Sequence, residues 1–178
     1  MSSELPEGFI PQRDLDNLTM EIDIQPGKWD GAFEGKLIGT SGLGSCLGII
    51  LYDTKNKHAI VGHFNDTGED SYTEMLESLR PQITNLESMK VFLGGTSAID
   101  DEADTQEIEK IRESVVNDVN TLGVPIKNQY IQWAKNSNLE YDVVTDMIID
   151  TSTGEATYEE RIYKDGQVAD MSVTSVDL

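Results

Sequence analysis

The sequence predicts an α+β fold, a β-sandwich-like mixed sheet carrying two main helices. Three observations lead there. Strand-like stretches outnumber helical ones, their order is no regular βα alternation, and only two segments carry a helical pattern. At 178 residues, 38% of them apolar, the chain suits a single domain with a modest core. Residues 1–17 read as a loosely ordered lead-in, 18–165 as the domain, and 166–178 as a tail or edge strand.

The elements follow in order. "LTMEIDIQ" (Leu18 to Gln25) alternates apolar and polar residues as a half-buried strand does, and Pro26–Gly27 turns the chain. "GKLIGTSG" holds only a short apolar pair. "SCLGIILYD" is a nearly continuous apolar run, the mark of a strand buried on both faces. "TKNK" is a polar turn and "HAIVGHF" the next strand. "SYTEMLESLRPQ" opens on a capping-box pattern, Ser71 then Glu74, and reads as a short helix stopped near Pro81. "MKVFLGGTS" is a strand ending at a glycine pair, where Thr96 and Ser97 form a tight turn or the rim of a cleft.

"DTQEIEKIRESVVNDVNTLG" is the clearest helix: Ile108, Ile111, Val115, Val119 and Leu122 make one stripe, ended by Gly123 and Pro125. Strands follow around "VPIKNQYIQWA", "YDVVTDMIID" and "EATYEERIY", with "DTSTGEA" as a hairpin turn. Tyr130 and Trp133 read as core or edge-strand residues, and Trp29, near the glycine-rich loop, as a possible cover for it.

Charge narrows the function classes. With 33 acidic and 13 basic residues the net charge is −20, which repels phosphate backbones and anionic membrane surfaces. No nucleic-acid partner is expected. No apolar run approaches the ~20 residues of a membrane helix. The N-terminus has neither basic start nor apolar stretch, so no signal peptide and no membrane insertion are expected, and the cytoplasm is the expected compartment. One cysteine makes no internal disulfide and no zinc site by itself. A metal set of His63, Asp66 and Glu69 has one imidazole and loose acids, a poor transition-metal site, so no metal and no cofactor are expected.

That cysteine, Cys46, lies in "GTSGLGSCLGIILYDTKNKHAIVGHFND" together with His63. A turn centred between Thr54 and Lys55 would set Cys46 directly opposite His63 across a hairpin, with Cβ atoms about 4.5–5.5 Å apart. A one-residue slip would send them to opposite faces. His58, five residues from His63, would point away and read as a surface residue. An imidazole beside a thiol lowers its pKa and shuttles its proton. Thr40 offers a hydroxyl to orient the ring. Gly42, Gly44 and Ser45 are the candidate substrate and oxyanion contacts, because glycine-rich backbone can expose N–H groups. Core packing is the commoner role of a free cysteine beside "LGIIL", and the spacing alone leaves both readings open. "GLGS" lacks the Lys-Ser/Thr of a phosphate loop and precedes a strand.

"GTSGLGSCLGIILYD" followed by "AIVGHF" resembles the chemoreceptor glutamine deamidases of the CheD family, whose signature is a Thr, a GLGSC segment, a β-rich run ending near Tyr-Asp, and a His closing the next strand. The family's catalytic Cys, His and Thr fall on Cys46, His63 and Thr40. A weaker likeness continues through "KVFLGGTS", "IRESVVNDVNTLGVPI" and "DMIIDTSTGEATY", spanning residues 35–160 in all. The resemblance implies an α/β sandwich-like fold and hydrolysis of glutamine side-chain amides within a protein, with methyl-accepting chemoreceptors as substrate and a CheC-like protein as regulator. A similar catalytic arrangement occurs in the deamidase domain of cytotoxic necrotizing factor-type toxins. Two segments depart from the family pattern. "HFNDTGEDSYTE" is polar and acidic where the family has an apolar segment ending in Pro, and "WAKNSNLEYD" replaces a glycine-rich segment with an arginine. These departures motivate the alternative of a non-catalytic CheD-like protein-binding module in chemotaxis or signalling.

Overall fold

A computed structural model of the chain describes residues 20–33, 35–65, 69–82, 85–98 and 102–178. The expected lead-in over 1–17 lies outside the described residues, as do Leu18 and Thr19 of the first expected strand and Asp66 of the weighed metal set.

The described residues form a mixed α+β fold in three layers. One five-stranded sheet has the order β1 (Ile22–Asp23), β3 (Leu37–Leu43), β8 (Asp142–Asp150), β9 (Glu155–Lys164), β10 (Gln167–Asp177). The second has the order β2 (Lys28–Ala32), β5 (His58–Phe64), β4 (Leu47–Asp53), β6 (Met89–Gly95), β7 (Gln129–Trp133). Pairing is antiparallel except β1 with β3 and β6 with β7. The parallel β6–β7 pair needs a crossover, which helix α2 (Glu102–Leu122) supplies. Helix α1 (Glu69–Leu79) follows β5. Among the described residues no helix is long and apolar enough to cross a membrane.

Strand β4 explains the layering. Its Ile50 and Tyr52 pack with Ala59, Val61, Met147, Ile149 and Tyr158 between the sheets. Its Leu47, Ile49 and Leu51 pack on the other face with Met75 and Leu79 of α1 and Val115 and Val119 of α2. The uninterrupted apolar run therefore serves two cores at once. In α2 the stripe Ile108, Ile111, Val115 and Val119 is buried, and Gly123, at φ +93, ends the helix.

The structure redraws several expected elements. Helix α1 begins at Glu69, so Ser71 sits inside its first turn instead of capping it. The expected strand over Leu18–Gln25 pairs only at Ile22–Asp23. Strand β2 follows the Pro26–Gly27 turn, where no element was expected, along the edge of β5. Strand β3 runs through "LIGTSGL", whose polar centre hid it. Its Thr40 is fully buried, because β3 lies between β1 and β8 and the hydroxyl finds partners inside. The last residues form β10, an edge strand paired along β9.

The central hairpin also turns one residue later than expected. Asp53 faces His58 across the loop Thr54–Lys57. Asp53 templates that loop: its Oδ1 accepts from Lys55 N at 2.9 Å and Asn56 N at 3.3 Å, and its Oδ2 accepts from Asn56 Nδ2 at 2.6 Å. Lys57 takes φ +50 to complete the turn. Shifting the centre by one residue moves every facing partner by two and preserves the face of each side chain.

Candidate active site

In this register His63 faces Gly48, and one further step sets Cys46 against Asn65. Cys46 and His63 are thus diagonal neighbours rather than directly opposed. Diagonal pairs have Cα atoms about 7–8 Å apart and Cβ atoms somewhat closer, within reach of an imidazole. Both residues lie on the inter-sheet face: Cys46 packs against the core between the sheets, and His63 bonds to Thr40 of the other sheet.

Strand β3 presents Thr40 because its ladder to β8 holds through Thr40–Met147 and then shifts before Leu43. The bulge at Ser41–Gly42, with Gly42 at φ +73, lets β3 bend away into the loop that carries Cys46. Gly42 N–H donates to Asp146 Oδ1 at 2.8 Å. Asp146 is paired in turn with Arg161, whose Nε lies 3.1 Å from Glu159 Oε1. Gly42 therefore anchors the bulge, and its N–H is not available to an oxyanion.

Thr40 Oγ1 donates to the Ile24 carbonyl at 2.7 Å and lies 2.7 Å from His63 Nδ1. Its one proton goes to Ile24, since a carbonyl cannot donate. The contact to His63 is then satisfied by Nδ1–H donating to Thr40, which fixes the neutral tautomer and leaves the lone pair on Nε2. Among the described residues Nε2 is buried without a hydrogen-bond partner. Burial pushes the His63 pKa below its ordinary value of 6.5, against the opposing influence of the Ile24 carbonyl and Asp23. A buried imidazole that is neutral and has an open lone pair is equipped to take a proton.

The packing beside His63 requires a glycine. Gly48 faces both His63 on β5 and Gly94 on β6. A Cβ on Gly48 would meet Met147 Sδ at 2.5 Å, so sheet-to-sheet packing requires the absent side chain.

Cys46 is partly exposed, and its Sγ donates to Asn65 Oδ1 at 3.5 Å. Its loop is held from behind. Thr96 N–H donates to the Cys46 carbonyl at 2.8 Å, and Ser97 N–H to the Gly44 carbonyl at 2.9 Å. Gly95, at φ +83, brings this turn so close that a Cβ there would lie 2.5 Å from the Cys46 carbonyl oxygen. Among the described residues the N–H groups of Gly44 and Ser45 have no protein acceptor.

Other expected residues sit elsewhere. His58 faces away from His63 and stacks on Phe33 at 4.3 Å between ring centroids. Trp29 is aligned with Gly62, on the face opposite His63, and so does not cover the site. Tyr130 and Trp133 belong to edge strand β7. Two contributors had no signal that sequence reasoning used: the Ile24 carbonyl and Asn65.

No family model matches the chain, and no curated protein matches it. Among solved structures it is similar to YlmD from Geobacillus stearothermophilus, with 12% identity and a TM-score of 0.43 over 60% of this chain and 51% of that one. It is also similar to the hypothetical protein YfiH of Bacillus licheniformis, with 13% identity and a TM-score of 0.41 over 61% of this chain and 51% of that one. The matched region spans about half the length of each of these proteins.

Proposed function

We propose that the chain is a cysteine-dependent protein-glutamine deamidase, hydrolysing glutamine side-chain amides to glutamate and ammonia. The observation that carries this reading is the 2.7 Å contact of Thr40 Oγ1 with His63 Nδ1, which leaves a proton-accepting nitrogen on the face that Cys46 shares. The resemblance of "GTSGLGSCLGIILYD" and "AIVGHF" to the CheD family supports the same assignment.

In this reading His63 Nε2 takes the thiol proton, and Cys46 sulfur attacks the amide carbon. The N–H groups of Gly44 and Ser45 are the donors that face the developing oxyanion. The tetrahedral adduct collapses as Nε2–H protonates the leaving nitrogen, releasing ammonia and a thioester. Nε2 then accepts a proton from water, whose oxygen attacks the thioester. Collapse returns that proton to sulfur and frees the glutamate side chain. Thr40 acts through the ring, holding its tautomer and angle as the third member of a triad does. A protein segment bearing glutamine is the substrate. A methyl-accepting chemoreceptor and a CheC-like regulator are the partners that the resemblance implies.

A second reading, a non-catalytic protein-binding module, is favoured by one contact: Cys46 Sγ donates to Asn65 Oδ1 at 3.5 Å. A thiol held as a donor is held in its unreactive form.

Incubation with chemoreceptor cytoplasmic fragments, followed by peptide mass spectrometry, tests the proposal. A gain of about 1 Da at a glutamine, abolished by Cys46→Ala, is the expected result, since the covalent path needs the nucleophile. A gain that persists in Cys46→Ala assigns the reaction to another group.

A further inference from the structure

We infer that Arg112 is a positioning residue for Cys46: its guanidinium holds the Gly95–Thr96 turn, and that turn holds the thiol-bearing loop in register with His63. The inference rests on the deamidase reading only in taking Cys46 and His63 to work as a pair.

The turn is an unfavourable piece of backbone. Gly95 and Thr96 both occupy the left-handed region, at φ +83 and +61. Glycine adopts this freely, but a β-branched threonine there costs on the order of 1–3 kcal/mol and persists only where its surroundings over-determine it. Arg112 provides that determination. Its Nε donates to Thr96 Oγ1 at 2.8 Å, and its Nη2 donates to the Thr96 carbonyl at 2.6 Å and the Ala134 carbonyl at 3.0 Å. One planar group thus ties α2 to the ends of β6 and β7. The guanidinium itself lies over the Trp133 ring, 5.5 Å from its centroid. Thr96 Oγ1 completes the turn by donating to the Gly95 carbonyl at 2.7 Å.

The turn faces the loop with its donors. Two successive N–H groups, from Thr96 and Ser97, take the carbonyls of Cys46 and Gly44 at 2.8 and 2.9 Å. With those carbonyls drawn inward toward β6, the N–H groups of Gly44 and Ser45 are fixed in direction, and so is the Cys46 side chain. Thr96 is fully buried and Ser97 nearly so, so no water replaces the guanidinium without rearrangement. Loss of Arg112 releases the threonine from its strained conformation, and the Cys46 carbonyl loses its donor.

The test is a cycle of Cys46 alkylation rates with iodoacetamide at pH 7, read by mass spectrometry on the full chain. In the wild type, His63→Ala slows alkylation about tenfold, because the imidazole generates the thiolate. In an Arg112→Met background the same replacement changes the rate less than about twofold, since the pair is no longer in register. Adding Thr96→Gly to Arg112→Met restores most of the His63 dependence, because glycine takes the turn's φ without the clamp. That rescue distinguishes positioning from a general loss of structure. If Arg112→Met does not fold, Arg112→Lys carries the test: it keeps the charge without the planar fork and reduces the His63 dependence about threefold. Full His63 dependence in Arg112→Met or Arg112→Lys, or no recovery on adding Thr96→Gly to a folded Arg112→Met, overturns the inference. Absence of His63 dependence in the wild type overturns the deamidase reading instead.

Discussion

Thr40 and His63, 23 residues apart in sequence and in different sheets, meet at 2.7 Å in the core between those sheets. The contact gives the imidazole its tautomer, and through the Ile24 carbonyl it also ties the segment just after β1 to the site.

Thr40→Val keeps the shape and removes the hydroxyl. Nδ1–H of His63 and the Ile24 carbonyl then lose their shared partner in a buried setting. Chemical denaturation should show a loss of about 1–3 kcal/mol, the cost of orphaned buried polar groups. Deamidation kcat should fall about tenfold or more while the folded state persists, because the ring can rotate or change tautomer. Thr40→Ser should retain most of both.

The pH dependence follows from His63. The mechanism requires a neutral ring, and burial sets the His63 pKa below 6.5. Activity should be undiminished by this group at pH 7 and should fall as pH drops through a value below 6.5. Stability follows the same sign. Between the lowered folded value and the unfolded one, the unfolded chain binds more protons, so stability declines on acidification across that window. Kinetic profiles give the first, and unfolding midpoints of wild type against His63→Gln give the second.

Gly95→Ala should damage both fold and site. A methyl at φ +83 meets the left-handed penalty, and its Cβ would lie 2.5 Å from the Cys46 carbonyl oxygen. The combined cost is about 2–4 kcal/mol, seen as a lowered unfolding midpoint. Cys46 alkylation in the surviving folded protein should lose its dependence on His63.

Arg161→Met should leave Asp146, beneath the β3 bulge, and Glu159 as largely buried carboxylates without their shared cation. Breaking such a pair costs about 3–5 kcal/mol at neutral pH. Burial raises the Asp146 pKa, with Gly42 N–H and Arg161 opposing. Without Arg161 the carboxyl takes up a proton more readily, so the penalty measured near pH 5 should be smaller than at pH 7.

The sequence carried what periodicity encodes. Helix α2 was plain in its stripe from Ile108 to Val119, and β4 in its apolar run, because many residues repeat one signal. Strand β3 was hidden because burial of Thr40 depends on partners just after β1 and in β5 that no local pattern announces. The hairpin register missed by one turn position because the Asp53 side chain, not the loop's polar composition, sets the turn. The shared face of Cys46 and His63 survived that error, since the shift preserved parity. The facing partner did not: Asn65, not His63, lies across from the thiol. Arg112 and the left-handed Thr96 were not legible, because both derive their role from a tertiary contact between α2 and the end of β6.

The most direct measurement is the rate at which iodoacetamide alkylates Cys46 at pH 7 in the wild type and in His63→Ala. A working thiol–imidazole pair predicts rapid labelling in the wild type and a loss of about tenfold on removing the ring. Slow labelling, equal in the two proteins, would contradict it.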